Sequence, residues 1–180
     1  MGLLLTSPSE LIPTIIDTHQ RLFNTDKRPD YNDVALILGT IACESGWEEG
    51  FVRKQYGGPA RGIIQMEPFT AQDIYKNYLK YHLNYYKVLM DILGKDEKFK
   101  VPFKWQLGNT LKDNDIYAIA MCRIFYLRQP GKIPSSMLDI AGYYKKYYNT
   151  FMGKGTVQGF FNRWRSNNCD QLMKDGGYIA

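Results

Sequence analysis

Apolar residues recur every three or four positions along most of this chain, and cap residues, prolines and glycines separate the runs. That is the period of helices, not strands. Ser7, Pro8 and Glu10 form a helix start with a capping box, and Pro13 is expected to kink or restart that helix. Asp30 or Asn32 opens a second helix, running through VALILGTIACES to Gly46. Thr70 and Asp73 predict a capping box and one long third helix that stops at Gly94. Asp113 or Asn114 starts a fourth, through IYAIAMCRIFYLR, ended by Pro130 and Gly131. Ser136 with Asp139 caps a fifth, IAGYYKKYYNTF, and Thr156 opens a sixth through VQGFFNRW. Lys95 to Asn109, polar with Pro102 and Trp105, reads as a long surface connection. The expected class is mainly α, in one domain over residues 1–180, without internal repeats.

Two places break the pattern. GGPARGIIQMEPFTA, from Gly57 to Ala71, sets glycines and prolines around Ile63 and Ile64. A helix does not tolerate those glycines, and a surface loop has no need of the isoleucines. A small hairpin or irregular region is expected over Val52 to Met66. The second break lies in helix two, where Ile37, Ile41 and Glu44 follow i, i+4, i+7 spacing. A carboxylate thus shares a face with core aliphatics. Desolvation and the negative end of the helix dipole both raise the pKa of such a group, which fits it to donate a proton. The plain alternative is that Glu44 rotates outward and ESGWEEG is a solvated acidic turn.

The two breaks together resemble one family. A helix ending in Glu44-Ser45 precedes Gly58-Pro59-Ala60-Arg61-Gly62-Ile63-Ile64-Gln65-Met66-Glu67-Pro68 and Thr70-Ala71, with Gln65 twenty-one residues after Glu44. This ordered set resembles the soluble lytic transglycosylase and goose-type lysozyme superfamily. GGPARG, with YYNTFMGKGT at Tyr147 to Thr156, is similar to its phage-encoded cell-wall lysins. The strong match covers Cys43 to Ala71, and Ala141 to Thr156 is a weaker one. The resemblance implies an α+β lysozyme-like fold whose glycine-rich region lines a cleft. It also implies cleavage of peptidoglycan between N-acetylmuramic acid and N-acetylglucosamine.

By that resemblance Glu44 is the general acid and Ser45 steadies the substrate or the carboxylate. Gln65 lines the cleft, while Gly62 and Ile63 bring backbone groups close to the sugar. The later tyrosine of the family's pattern falls on Tyr148, or on Tyr147 if the alignment slips by one. The family's hydrolases carry aspartates between the glutamate and the glycine-rich turn, and Cys43 to Phe69 holds none. This favours the one-acid transglycosylase route over a hydrolytic muramidase. Glu67 stands as the candidate second carboxylate, facing either the cleft or water, and Glu48 and Glu49 read as solvated.

Composition narrows the partners. A net charge of +5 and a pI near 9.0 suit a polyanion, whether nucleic acid, anionic lipid or cell-wall polymer. Fourteen tyrosines, nine phenylalanines and three tryptophans suit a heavy core or a groove that stacks on sugars or bases. Lysines interleave the tyrosine tracts Tyr75 to Tyr86 and Tyr143 to Tyr148, but the helical spacing of Tyr75, Tyr78, Leu79, Tyr85 and Leu89 assigns most of the first set to packing. Glycan strands are therefore the expected partner, and nucleic acid is not.

His19 and His82 lack zinc-ligand spacing, and no metal or cofactor is expected. Cys43, Cys122 and Cys169 read as buried free thiols from a reducing compartment. No nucleophile elbow or phosphate-binding loop occurs. The apolar run Leu3 to Leu5 has no basic start, so no cleaved export signal is expected, and Gly2 with Thr6 fits only a loose myristoylation pattern. No run is long enough to span a membrane. A monomer is expected, made in the host bacterial cytoplasm and acting on the periplasmic wall, or carried on the virion. The rival from another class is a basic cell-wall or nucleic-acid binding module, or virion structural module, that keeps the fold without chemistry.

Overall fold

A computed structural model describes residues 4–150 and 153–179. Gly2, Leu3, Phe151 and Met152 lie outside the described residues, and with them the myristoylation pattern, the start of the apolar N-terminal run, the last residue of the fifth expected helix and the middle of YYNTFMGKGT.

The N-terminal capping box forms as expected: Glu10 accepts from the Ser7 and Thr6 backbone N–H groups at 2.8 and 2.7 Å. It closes a single 3-10 turn, Pro8–Glu10, which leads into α1 (Leu11–Phe23). Pro13 produces no restart. It is the third residue of α1, where its N–H would have no intrahelical partner.

Helix α2 (Tyr31–Glu44) is the centre of the molecule. Val34 through Ala42 are all buried, because the helix is apolar on every side. It packs against α1, α6 (Asp115–Leu127), α7 (Met137–Tyr144), α8 (Val157–Ser166) and α9 (Cys169–Asp175). The ring of Phe160 on α8 occupies the space that a side chain at Gly39 would need, so these two helices approach closely.

The expected long third helix is two helices. Helix α3 (Pro68–Asn77) starts two residues before Thr70, and α4 (Leu83–Ile92) follows a 3-10 turn, Leu79–Tyr81. The break lies at Tyr78 and His82. The His82 ring stacks on Tyr78 at 3.9 Å, and its Nδ1 lies 2.9 Å from the Tyr78 carbonyl. The periodicity runs through this break, which is why the sequence reads as continuous.

The surface connection expected from Lys95 to Asn109 contains most of α5 (Lys104–Asp113), whose Leu107, Gly108 and Leu111 are buried. The later caps form as expected, with Asn114, Ser136 and Thr156 accepting from the Tyr117, Asp139 and Gly159 N–H groups. Helix α7 stops at Tyr144 and passes into a π-helical turn, Lys145–Asn149.

Between α2 and α3 the chain is irregular. Two isolated antiparallel bridges, Lys54 with Arg61 and Arg61 with Met66, are its only β pairings among the described residues. The architecture is therefore mainly α, without a sheet in the described part. A buried ion pair fixes this region to the helices. Asp115, the fully buried first residue of α6, accepts from Arg53 Nη2 at 2.5 Å and Nε at 3.0 Å, and from the Leu5 N–H at 2.8 Å. Arg53 also donates to the Leu5 carbonyl. Arg53→Met should leave that carboxylate buried with one donor and lower unfolding free energy by about 3–5 kcal/mol in urea denaturation. A loss below about 1 kcal/mol would mean the pair behaves as a surface salt bridge.

Candidate active site

Glu44 ends α2 with Ile37 and Ile41 on its face at 2% and 0% exposure, and its own side chain is only half-buried. The carboxyl is thus carried to the edge of the core rather than out into a solvated turn. Its Oε1 accepts a hydrogen bond from Tyr144 Oη at 2.6 Å. Burial raises the Glu44 pKa above its ordinary value of 4.5, and the Tyr144 hydrogen bond opposes that rise. Burial wins. The neighbouring Cys43 is half-buried, and burial together with the Glu44 charge pushes its thiol up to about 12. A thiol so protonated is no nucleophile. Cys122 and Cys169 are buried free thiols.

Two depressions meet at Glu44. One, of about 580 Å³, is bounded by Cys43, Glu44, Glu48, Tyr144 and residues of α8. The other, of about 360 Å³, is bounded by Glu44, Gln65, Glu67, Thr70, Tyr147 and Tyr148. Glu44 and Asn149 line both. Asn149 is held by two donors, Lys145 Nζ at 2.9 Å and the Gly155 N–H at 3.0 Å. Lys145 also donates to the Thr150 and Gly153 carbonyls, which ties down the segment walling the junction.

The second depression brings together most of the residues named from the sequence. Gln65 has a left-handed backbone (φ 44°), and its Nε2 donates to the carbonyls of Gly62 and Val52 at 2.9 and 3.1 Å. Tyr148 donates to the Ile64 carbonyl at 2.7 Å, joining the π turn to the glycine-rich region. Tyr147 packs edge-on against Tyr143 at 4.6 Å. Glu67 is exposed, immediately before α3, on the same depression as Glu44. The exposed Glu48 lines the first depression.

Three named residues do something else. The Ser45 hydroxyl accepts from the Val52 N–H at 2.8 Å and donates to the Gly46 carbonyl at 3.0 Å, so it fastens the loop and does not touch the carboxylate. Gly62 (φ 74°) presses onto α5, where a Cβ would lie 2.5 Å from the Leu111 carbonyl. Ile63 is fully buried. Both anchor the turn against the core, burial of such an aliphatic contributing about 1.5–3 kcal/mol, and neither lines a depression.

Sequence reasoning missed Tyr144, the partner of Glu44, and the α8 wall. Tyr144 stands one helical turn before Tyr148, and the two rings stack at 6.1 Å and 19°. That i, i+4 relation was the available signal. No group of three or more metal-ligating side chains occurs among the described residues, and no helix among them is long and apolar enough to cross a membrane. Comparison with protein-family models, curated proteins and solved structures gives no match.

The raised pKa has a consequence for stability. Above the ordinary value of 4.5 the unfolded chain ionises Glu44 before the folded protein does. Folded stability therefore falls as pH rises through the window between the two values. Glu44→Gln removes this cost, so its melting temperature should exceed that of the parent protein at neutral pH. The gap should close below the ordinary glutamate value. A variant less stable by the same amount at every pH would contradict the burial argument.

Proposed function

We propose that this protein cleaves the β-1,4 bond between N-acetylmuramic acid and N-acetylglucosamine in peptidoglycan, as a lytic transglycosylase with Glu44 as general acid. One observation carries the reading: a carboxyl with a raised pKa stands at the junction of two depressions, oriented by a tyrosine hydroxyl. The two depressions are then the two sides of one substrate cleft, and the strand crosses at Glu44.

Protonated Glu44 gives its proton to the bridging oxygen as the bond from that oxygen to the muramic anomeric carbon breaks. The muramic residue's own C6 hydroxyl attacks that carbon, and its proton passes to the Glu44 carboxylate. The product is a 1,6-anhydro sugar, water is not consumed, and the acid is restored. Tyr144 Oη stabilises the carboxylate in the interval between the two transfers and keeps Oε1 in place. Gln65 and Tyr148, fixed by bonds to the backbone, form the opposite wall.

The net charge of +5 supports a polyanionic cell wall as the target. In this reading the protein is a phage-type lysin, made in the host cytoplasm or carried on the virion. Glu67 favours a second reading, a hydrolytic muramidase, because it borders the same depression as Glu44 and a carboxylate there can activate water.

Purified protein should release muropeptides from cell walls, and Glu44→Gln should lower that rate by about 10²–10⁴-fold while the fold is retained. Mass spectrometry of the fragments separates the two routes, since the hydrolytic product is one water heavier than the anhydro product. Undiminished release by the variant would remove Glu44 from the mechanism. Binding to walls without any cleavage would favour a non-catalytic module.

A further inference from the structure

The depression between Glu44 and α8 holds about 580 Å³, enough for a small ligand rather than one functional group. Its α8 wall is one helical face: Thr156, Gly159, Arg163 and Ser166 follow three- to four-residue spacing. Phe160 and Asn162, within that stretch, also border the depression, the Phe160 ring packing into the core against Gly39. Among the described residues, Arg163 is the only cation bordering the depression.

The guanidinium of Arg163 is also uncommitted. Arg21, Arg53, Arg123 and Arg128 are paired with carboxylates, Arg28 and Arg61 donate to backbone carbonyls, and Arg165, without an ion-pair partner among the described residues, does not border the depression. Arg163 is exposed and has no ion-pair partner within 4 Å among the described residues. Glu48 borders the same depression and repels an anion from its own rim. An anionic group entering here is driven to α8.

We propose that Arg163 is a specificity-determining residue that binds a carboxylate of the peptide stem carried by the glycan strand, in the depression beside Glu44. The inference rests on the reading of Glu44 as the acid that cleaves such strands. The stem branches from the muramic residue, whose anomeric carbon is the reacting centre, so it leaves the strand next to the scissile bond. The depression beside Glu44 offers room and a single free guanidinium. Its planar fork holds a carboxylate by two parallel hydrogen bonds, which a lysine cannot reproduce.

The test compares parent protein, Arg163→Gln and Arg163→Lys on stem-bearing glycan strands and on strands stripped of their stems by an amidase, with the lactyl carboxylates that this hydrolysis exposes converted to carboxamides. Isolated stem peptide, and the same peptide with its carboxylates converted to carboxamides, are titrated calorimetrically against each protein. Arg163→Gln should lose about tenfold in kcat/KM on stem-bearing strands, the loss expected for a charge-assisted pair, and nothing on stripped strands. It should bind the stem peptide about tenfold more weakly, Arg163→Lys should fall between, and the carboxamide peptide should bind all three proteins alike. Equal losses on both kinds of strand, or unchanged binding of the stem peptide, would overturn the proposal. If the parent protein cleaves neither kind of strand, the reading of Glu44 fails, and the peptide titration alone decides Arg163. Arg163 is exposed on its helix, so the variants should melt with the parent protein.

Discussion

Nine consecutive residues of α2, Val34 to Ala42, are shielded from water by the five helices around them. This burial is apolar and non-directional, but it fixes where the helix ends. Glu44 stands two residues after that buried run, on the same helical face as Ile37 and Ile41, so its carboxyl leaves the helix beside the core. The carboxyl is delivered to the edge of the interior, where the charged form is disfavoured. A hydroxyl from α7 then meets it. Tyr144 is buried among the aromatic rings of Tyr148 and Phe160, and its Oη finds in Glu44 the polar partner that a buried phenol needs.

The opposite wall depends on the same core through different contacts. Ile63 and Ile64 are fully buried, and Gly62 lies flat on the end of α5. The backbone between them and α3 is therefore held still, although it has no sheet around it. Arg53 and Asp115 clamp the start of this region to α6 and to the N-terminal segment, and Trp47 donates twice to Asn167 between α8 and α9. Tyr148 closes the circuit by donating to the Ile64 carbonyl. An irregular loop thus acquires the rigidity of the helices it touches, as a site that orients a reacting bond requires.

The helix starts at Ser7, Asn114, Ser136 and Thr156 were legible because each is a cap whose oxygen satisfies a free N–H, a purely local event. The inward position of Glu44 was legible for a related reason, since helical spacing sets which residues share a face. Helix α5 was not legible: two buried leucines and a glycine in a polar segment give too weak a period, and its place comes from packing on α3 and α6. The break at Tyr78 was hidden because the apolar period continues across it. Within the site, the resemblance places backbone groups of Gly62 and Ile63 near the sugar and makes Tyr148, or Tyr147, the relevant ring. Only the tertiary arrangement shows that Gly62 lies against Leu111 and that Tyr144 reaches the carboxylate. Helix α8 was legible from its Thr156 cap, but its place as a wall beside Glu44, far along the chain, left no local mark.

The account stands on the protonation of one carboxyl, and that can be measured at the atom. In protein carrying carbon-13 at glutamate carboxyl positions, the Glu44 resonance, assigned by its loss in Glu44→Gln, should titrate above the ordinary glutamate value. In Tyr144→Phe it should titrate higher still, because the hydrogen bond that favours the ionised form is gone. A Glu44 resonance that titrates at or below the ordinary value, unmoved by Tyr144→Phe, would contradict the account.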